Sequence, residues 1–224
     1  MDNYNEIGVI TEKLNIASTG HITNVYILYR KDSKEAILID PAYDANELMR
    51  ILDSNNLTLK YIIITHCHAD HIAALADLLE IVPECEVVIH KEDFTNINEE
   101  QVNCKDIVKV DLKKVSINNV ILIDKNVSMN LCGINLDLIC TPGHTKGSIV
   151  VYEKDLNVLF TGDTIFSDTY GRTDLKTGSH QDMKNTLDYL FEKFDDVKCL
   201  PGHGEQFNLK DVKRKIRLLF AYKG

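Results

Sequence analysis

The chain has 224 residues, 44% hydrophobic and 26% charged, the usage of an ordinary globular protein rather than a disordered or fibrous one. Twenty-five basic against 34 acidic side chains give a net charge of -9, which repels polyanions and argues against a nucleic-acid partner. No apolar run approaches the roughly 18 residues that a membrane span needs, and "MDNYNEIGVITEK" lacks a basic start followed by an apolar core, so a cytoplasmic protein with no membrane partner is expected.

The length suits a single domain over residues 1–224. In chain order, "TNVYILYR" (23–30) and "EAILID" (35–40) are short β-branched runs bounded by polar residues and read as strands. Asp44, with Glu47 three residues on, resembles a capping box before Leu48, Ile51 and Leu52. The next strand, "KYIIIT" (60–65), runs into "THCHADHIAA" (65–74), which gathers three of the chain's eight histidines. His66 and His68 follow that strand in extended chain, where side chains two apart point the same way and can reach one ion. Asp70 and His71 then fall in the first turn of a helix, "DHIAALADLLEIV", facing a neighbouring position. Cys67 points away from its flanking histidines and reads as core filler. The six cysteines contain no CxxC pair and read as free thiols.

"EVVIH" (86–90) is a strand whose last residue, His90, reads as a capped or solvent-facing histidine rather than a pocket residue. Residues 95–128 carry only weak patterns. "INLDLIC" (134–140), "SIVVYE" (148–153) and "NVLFTG" (157–162) are further strands, and "DVKCL" (196–200) is another. Polar side chains stand just past three of these strand ends: His144 in "TPGHTKGS", Asp163 in "FTGDT" and His203 in "LPGHGE", each beside small residues that permit close backbone approach. Lys146 and Ser148 read as loop residues. Ser179 with Asp182 caps a helix carrying Met183, Leu187, Leu190 and Phe191. "KDVKRKIR" (210–217) is basic, but Leu209, Val212, Ile216, Leu219 and Phe220 fall at helical spacing, so its charges are the solvated face of an amphipathic helix. Paired strands with interleaved helices suggest an α/β, four-layer αββα sandwich of two mixed sheets flanked by helices.

Five histidines and two aspartates, with no thiolate among them, suit Zn, Fe or Mn and suffice for two ions about 3.5–4 Å apart. Asp163 has two oxygens and can bridge them. Such a pair lowers the pKa of a shared water towards about 7 and yields a hydroxide nucleophile.

Taken in order, "THCHADH", "TPGHT", "FTGDT" and "PGHG" resemble the metallo-β-lactamase superfamily, and "GRTDL" (171–175) is similar to its glyoxalase II and persulfide dioxygenase branch. "AILIDPA" (36–42) resembles the strand-and-Asp segment that precedes these motifs. The resemblance implies His66, His68 and His144 on a first metal, Asp70, His71 and His203 on a second, and Asp163 on both. Asp70 and Asp163 are then expected to act in catalysis as well as in binding, and Asp40 to hold the His66–His71 loop by hydrogen bonds. Arg172 sits where glyoxalase II proteins meet the substrate's thiol carrier; an ion pair with Asp174 is the competing reading. Tyr170 has two readings as well, stacking on substrate or packing. His21 and His180 read as histidines outside the site.

The function implied is hydrolysis of a thioester, a small-molecule substrate, by a hydroxide between two divalent ions, most simply zinc. The alternative is a mononuclear iron persulfide dioxygenase using the equivalents of His66, His144 and Asp163; those enzymes carry Ala where this chain has Gly202. Two departures from glyoxalase II leave the glutathione carrier open: Asp174 stands where those enzymes have tyrosine, and only about twenty residues, room for one helix, follow "PGHGE". The oligomeric state is left open.

Overall fold

The computed structural model describes residues 7–15, 22–42, 44–105 and 113–223, so His21 lies outside the described residues. Six strands form the first sheet: β1 (Ile7–Asn15), β2 (Ile22–Arg30), β3 (Glu35–Ile39), β4 (Thr58–Ile63), β5 (Glu86–His90) and β6 (Val120–Ile123), in that spatial order. β1, β2 and β3 pair antiparallel, and β3 to β6 run parallel. The second sheet takes β7 (Val127–Leu131), β8 (Ile134–Cys140), β9 (Ile149–Glu153), β10 (Val158–Gly162), β11 (Lys198–Pro201) and β12 (Phe207–Asn208). Among the described residues, only its β10–β11 pairing is parallel.

The two-residue side-chain period of these strands assigns each face to a different layer. On β2, Tyr26 and Leu28 enter the apolar layer between the sheets, whereas Val25 and Ile27 face outward. The same division separates Ile37 and Ile39 from Ala36 and Leu38 on β3, and Phe160 from Leu159 on β10. Outward residues of the first sheet pack against α1 (Ala45–Ser54) and α3 (Leu75–Ile81), through Leu48, Leu52, Leu75 and Leu78. Past the short α5 (Glu100–Asn103), α6 (His180–Lys193) and α7 (Leu209–Lys223) cover the second sheet, through Met183, Leu190, Val212 and Ile216. Two mixed sheets covered on both outer faces by helices make the four-layer αββα sandwich. Among the described residues, no helix is long and apolar enough to cross a membrane.

Helix starts follow the caps read in the sequence, with one difference. Asp44 accepts hydrogen bonds from the amides of Asn46 and Glu47 at 3.0 and 3.2 Å. Glu47 does not complete the box; its carboxylate is taken by Arg50 one turn on. Ser179 accepts from the amide of Asp182 at 3.2 Å and opens α6. The helix expected from residue 70 is broken into α2 (Ala69–Ile72) and α3. The amide of Ala74 is claimed by the carbonyl of Pro41 at 3.0 Å instead of by the preceding turn, which interrupts the helical ladder.

Candidate metal centre

The polar residues singled out in the sequence meet at one rim, where the loops after β4, β8, β10 and β11 come together. His66 and His68 follow β4, His68 in extended backbone, and their ring centroids lie 4.7 Å apart. His144, from the loop after β8, brings its Nε2 to 2.9 Å from His68 Nδ1. Ligand atoms of His66, His68 and His144 all lie within 4.8 Å of one another, and so do those of Asp70, His71 and His203.

Asp163 stands between the trios. Its Oδ1 is 3.3 Å from His71 Nε2, and its Oδ2 is 3.3 Å from His203 Nε2 and 3.7 Å from His144 Nε2. Asp70 Oδ2 lies 3.1 Å from His203 Nε2. Gly202 makes this approach possible: a Cβ there would sit 2.3 Å from Asp163 Oδ1 and 2.5 Å from His71 Cε1, closer than real Cβ atoms come.

The outer nitrogens of three rings are tied back, which aims the inner ones at the centre. His71 Nδ1 donates to Asp40 Oδ2 at 2.9 Å, His203 Nδ1 to the carbonyl of Ile22 at 2.7 Å, and His144 Nδ1 to the carbonyl of Arg172 at 2.8 Å. Asp40 also accepts from the Thr65 amide and hydroxyl, both at 2.7 Å. A third cluster, Asp40 with His66 and His71, is also compact enough for an ion. Both Asp40 oxygens are already engaged by Thr65 and His71, so this carboxylate braces the loop rather than offering itself to an ion.

Charge is distributed unevenly over the rim. Burial and the neighbouring imidazoles hold His66 well below the ordinary histidine value and bring His68 down to about 3. Burial acts the same way on His71, but Asp163, Asp70 and Asp40 outweigh it and raise it to about 10. His203, against Asp163 and Asp70, is raised to about 11 despite its burial. Burial also disfavours the charged carboxylates, yet His71 and His203 win and bring Asp70 down to about 2 and Asp163 well below the carboxylate range.

Among the described residues, two atoms here are buried without a hydrogen bond: His66 Nε2, and Asp163 Oδ1, which has only its ion pair with His71. A buried unpaired polar atom costs on the order of 1–3 kcal/mol, so its presence at the focus of a nitrogen and carboxylate donor set fits a bound cation. With no thiolate in the set, the donors suit Zn, Fe or Mn.

A cleft of about 400 Å³ opens over the centre, lined by His144, Asp163, Phe166, Thr169, Arg172 and His203. The Arg172 guanidinium forks onto Asp174 through Nε and one terminal nitrogen, at 2.7 and 2.9 Å. Beyond Arg172 lies a second cleft of about 540 Å³, bordered by Tyr170, Asp174 and His180. Tyr170 borders this cleft and not the one over the centre; its ring is 7% exposed and stacks on Phe220 at 4.3 Å. The His180 ring also stacks on Phe220, at 4.5 Å, and lies 6.4 Å from the Tyr170 ring. His90 is buried and caps α4 (Lys91–Asn96), accepting from the Glu92 amide at 3.2 Å. Cys67 is buried in the helix-side core of the first sheet, and Lys146 pairs with Glu92 at 2.9 Å.

Sequence reasoning missed Asp93, a buried carboxylate on α4 that accepts hydrogen bonds from Cys67, Thr145 and Gly147 beside the first trio. Only the glycine after "HTK" hinted at a close approach there.

The family model of the metallo-β-lactamase superfamily matches residues 18–203. A protein of Methanocaldococcus jannaschii named as a "probable metallo-hydrolase" is 34% identical over 200 residues, covering 86% of this chain and 92% of its own. Hydroxyacylglutathione hydrolase GloC of Haemophilus influenzae is 27% identical over 191 residues, with 82% and 86% covered. The solved structure of TTHA1623 in a di-iron-bound form superposes with a TM-score of 0.80 at 23% identity, covering 93% of this chain and 99% of that one.

Proposed function

The chain belongs to the metallo-β-lactamase superfamily, and on that premise we propose that it is a two-metal hydrolase of thioesters, one domain of this fold over residues 1–224. The observation that carries this reading is the meeting of two compact donor trios at Asp163, with His66 Nε2 and Asp163 Oδ1 buried and making no hydrogen bond among the described residues. His66, His68 and His144 would hold one ion, Asp70, His71 and His203 the other, and Asp163 would touch both. When bound, such a pair supplies Lewis acidity and makes water nucleophilic near neutral pH. Zinc is the simplest occupant of a nitrogen and carboxylate set; iron, present in TTHA1623, is the competitor.

The chain's own contribution is position. Asp40, the Ile22 carbonyl and the Arg172 carbonyl fix three imidazoles before any ligand arrives, so little reorganisation is left for the reaction. Phe166 and Thr169 form a wall of the cleft in which an acyl group would lie, and Arg172 at its edge would meet a carboxylate on the thiol carrier by exchanging its Asp174 partner. A departing thiolate, whose conjugate acid has a pKa of about 8.5, needs no dedicated protein acid. GloC, a hydroxyacylglutathione hydrolase by name, makes S-lactoylglutathione the first substrate to try. The same reading takes the protein as a cytoplasmic enzyme with a small-molecule substrate and neither nucleic-acid nor membrane partners.

Gly202 favours this reading over a mononuclear dioxygenase, because an alanine Cβ there would sit 2.5 Å from His71 Cε1 and displace an imidazole that only the second trio uses. The test is thiol release from S-lactoylglutathione and other acyl thioesters by the zinc-replete protein. Turnover is expected. Oxygen uptake with glutathione persulfide, at one iron per chain and without thioester turnover, would replace the proposal with the dioxygenase.

A further inference from the structure

Asp40 is not the only buried carboxylate that grips the loops of the centre. Asp93, on α4, is 1% exposed. Its Oδ2 accepts from the amide of Cys67 and the hydroxyl of Thr145, both at 2.8 Å, and its Oδ1 accepts from the amide of Gly147 at 2.9 Å. Cys67 separates His66 from His68, and Thr145 follows His144. One carboxylate therefore ties the loop after β4 in the first sheet to the loop after β8 in the second.

The fit is close on both sides. A Cβ on Gly147 would lie 2.4 Å from Asp93 Oδ1 and 2.7 Å from Asp93 N, so a side chain at 147 would push the loop off the carboxylate. Ser148 Oγ accepts from the Thr145 amide at 3.0 Å and lies 2.8 Å from Thr145 Oγ1, which locks the turn that presents the hydroxyl. The other trio is braced by different groups, Asp40 for His71 and the Ile22 carbonyl for His203.

We infer that Asp93 is a positioning residue that presets the spacing of His66, His68 and His144 for one ion, leaving the Asp70, His71 and His203 trio to its own supports. This rests on the two-metal reading above. An asparagine at 93 would turn an NH2 group towards one of these N–H or O–H donors, losing at least one bond and setting donor against donor.

Protein stripped of metal is titrated with zinc against a competing chelator, and with cobalt for its visible absorption, in wild type, Asp93→Asn, Thr145→Val and Thr145→Ser. Lys146→Ala, which breaks only an exposed pair with Glu92 in the same loop, is the control. The first two substitutions are expected to weaken one ion by about 10–100-fold while the other stays within about 3-fold, and to alter the cobalt spectrum of the weakened site alone. Thr145→Ser keeps the hydroxyl and should restore wild-type binding. Should Asp93→Asn fail to fold, Thr145→Val against Thr145→Ser carries the test by itself. Unchanged affinities in the folded variants, or equal weakening of both ions together with a lower melting temperature, would overturn the inference. Failure of the two-metal reading shows separately, as a wild-type stoichiometry of one; the effect of Asp93 on that ion is still read.

Discussion

Stripping the metal and restoring it at different pH values separates the two trios. At pH 7 His71 and His203, raised to about 10 and about 11, both carry protons that an incoming ion must displace. Removing one from a buried group at about 10 costs about 4 kcal/mol at pH 7, and the other somewhat more. His66 and His68, held low by burial, are already neutral. Loading the Asp70, His71 and His203 trio should therefore release between about one and two protons and strengthen about 10- to 100-fold per pH unit, whereas His66 and His68 contribute no release. Calorimetric zinc titrations in buffers of different ionisation enthalpy, from pH 6.5 to 8.5, count the protons. A release below about half a proton per ion at pH 7, or equal pH slopes for both ions, would refute the charge assignment. The stripped protein carries the opposite sign. Raised histidines stabilise the fold below their unfolded value of about 6.5, and that contribution is lost as pH climbs through about 10, so its melting temperature should fall over this window.

Three further outcomes are expected. Asp163→Ala removes the one carboxylate that, among the described residues, comes within 3.7 Å of His71, His144 and His203 together, and metal content should drop from about two ions per chain to one or none by elemental analysis; two retained ions would contradict its shared role. Gly202→Ala should cost about 1–3 kcal/mol of stability by overpacking and selectively deplete the ion beside His203, measured by melting and stoichiometry; full occupancy with unchanged turnover would dispose of the steric reasoning. Phe160, buried between the sheets with its ring 5.1 Å from that of Tyr26, should cost about 3–5 kcal/mol in urea unfolding when replaced by alanine, and a loss under about 1 kcal/mol would mean that the inter-sheet layer repacks easily.

How much of this was legible depended on whether a signal was local. Strands buried on both faces, such as "EAILI" and "EVVIH", announce themselves by unbroken β-branched runs, and β8 coincides with its expected limits, Ile134–Cys140. β1, β6, β7 and β12 went unread. β6 and β7 lie within or next to the weakly patterned 95–128 stretch, and β12 is only two residues long. Motif residues could be grouped because each followed a strand end, although nothing local told where Asp163 would stand between the trios. Asp93 was invisible for a related reason: an aspartate in "KEDF" looks like one more acid on a helix surface, and its role arises from loops 26 and 52 positions away. The break before α3 had the same origin, since Pro41 takes an amide that the local sequence would have given to the helix.

Residue 172 divides its duties between main chain and side chain. The carbonyl that orients His144 is one that any amino acid would present, whereas the guanidinium lies at the boundary of two clefts and pairs with an exposed carboxylate. If the guanidinium meets substrate as proposed, residue 172 is a position where selectivity should change on substitution while the main-chain carbonyl goes on holding the imidazole behind it.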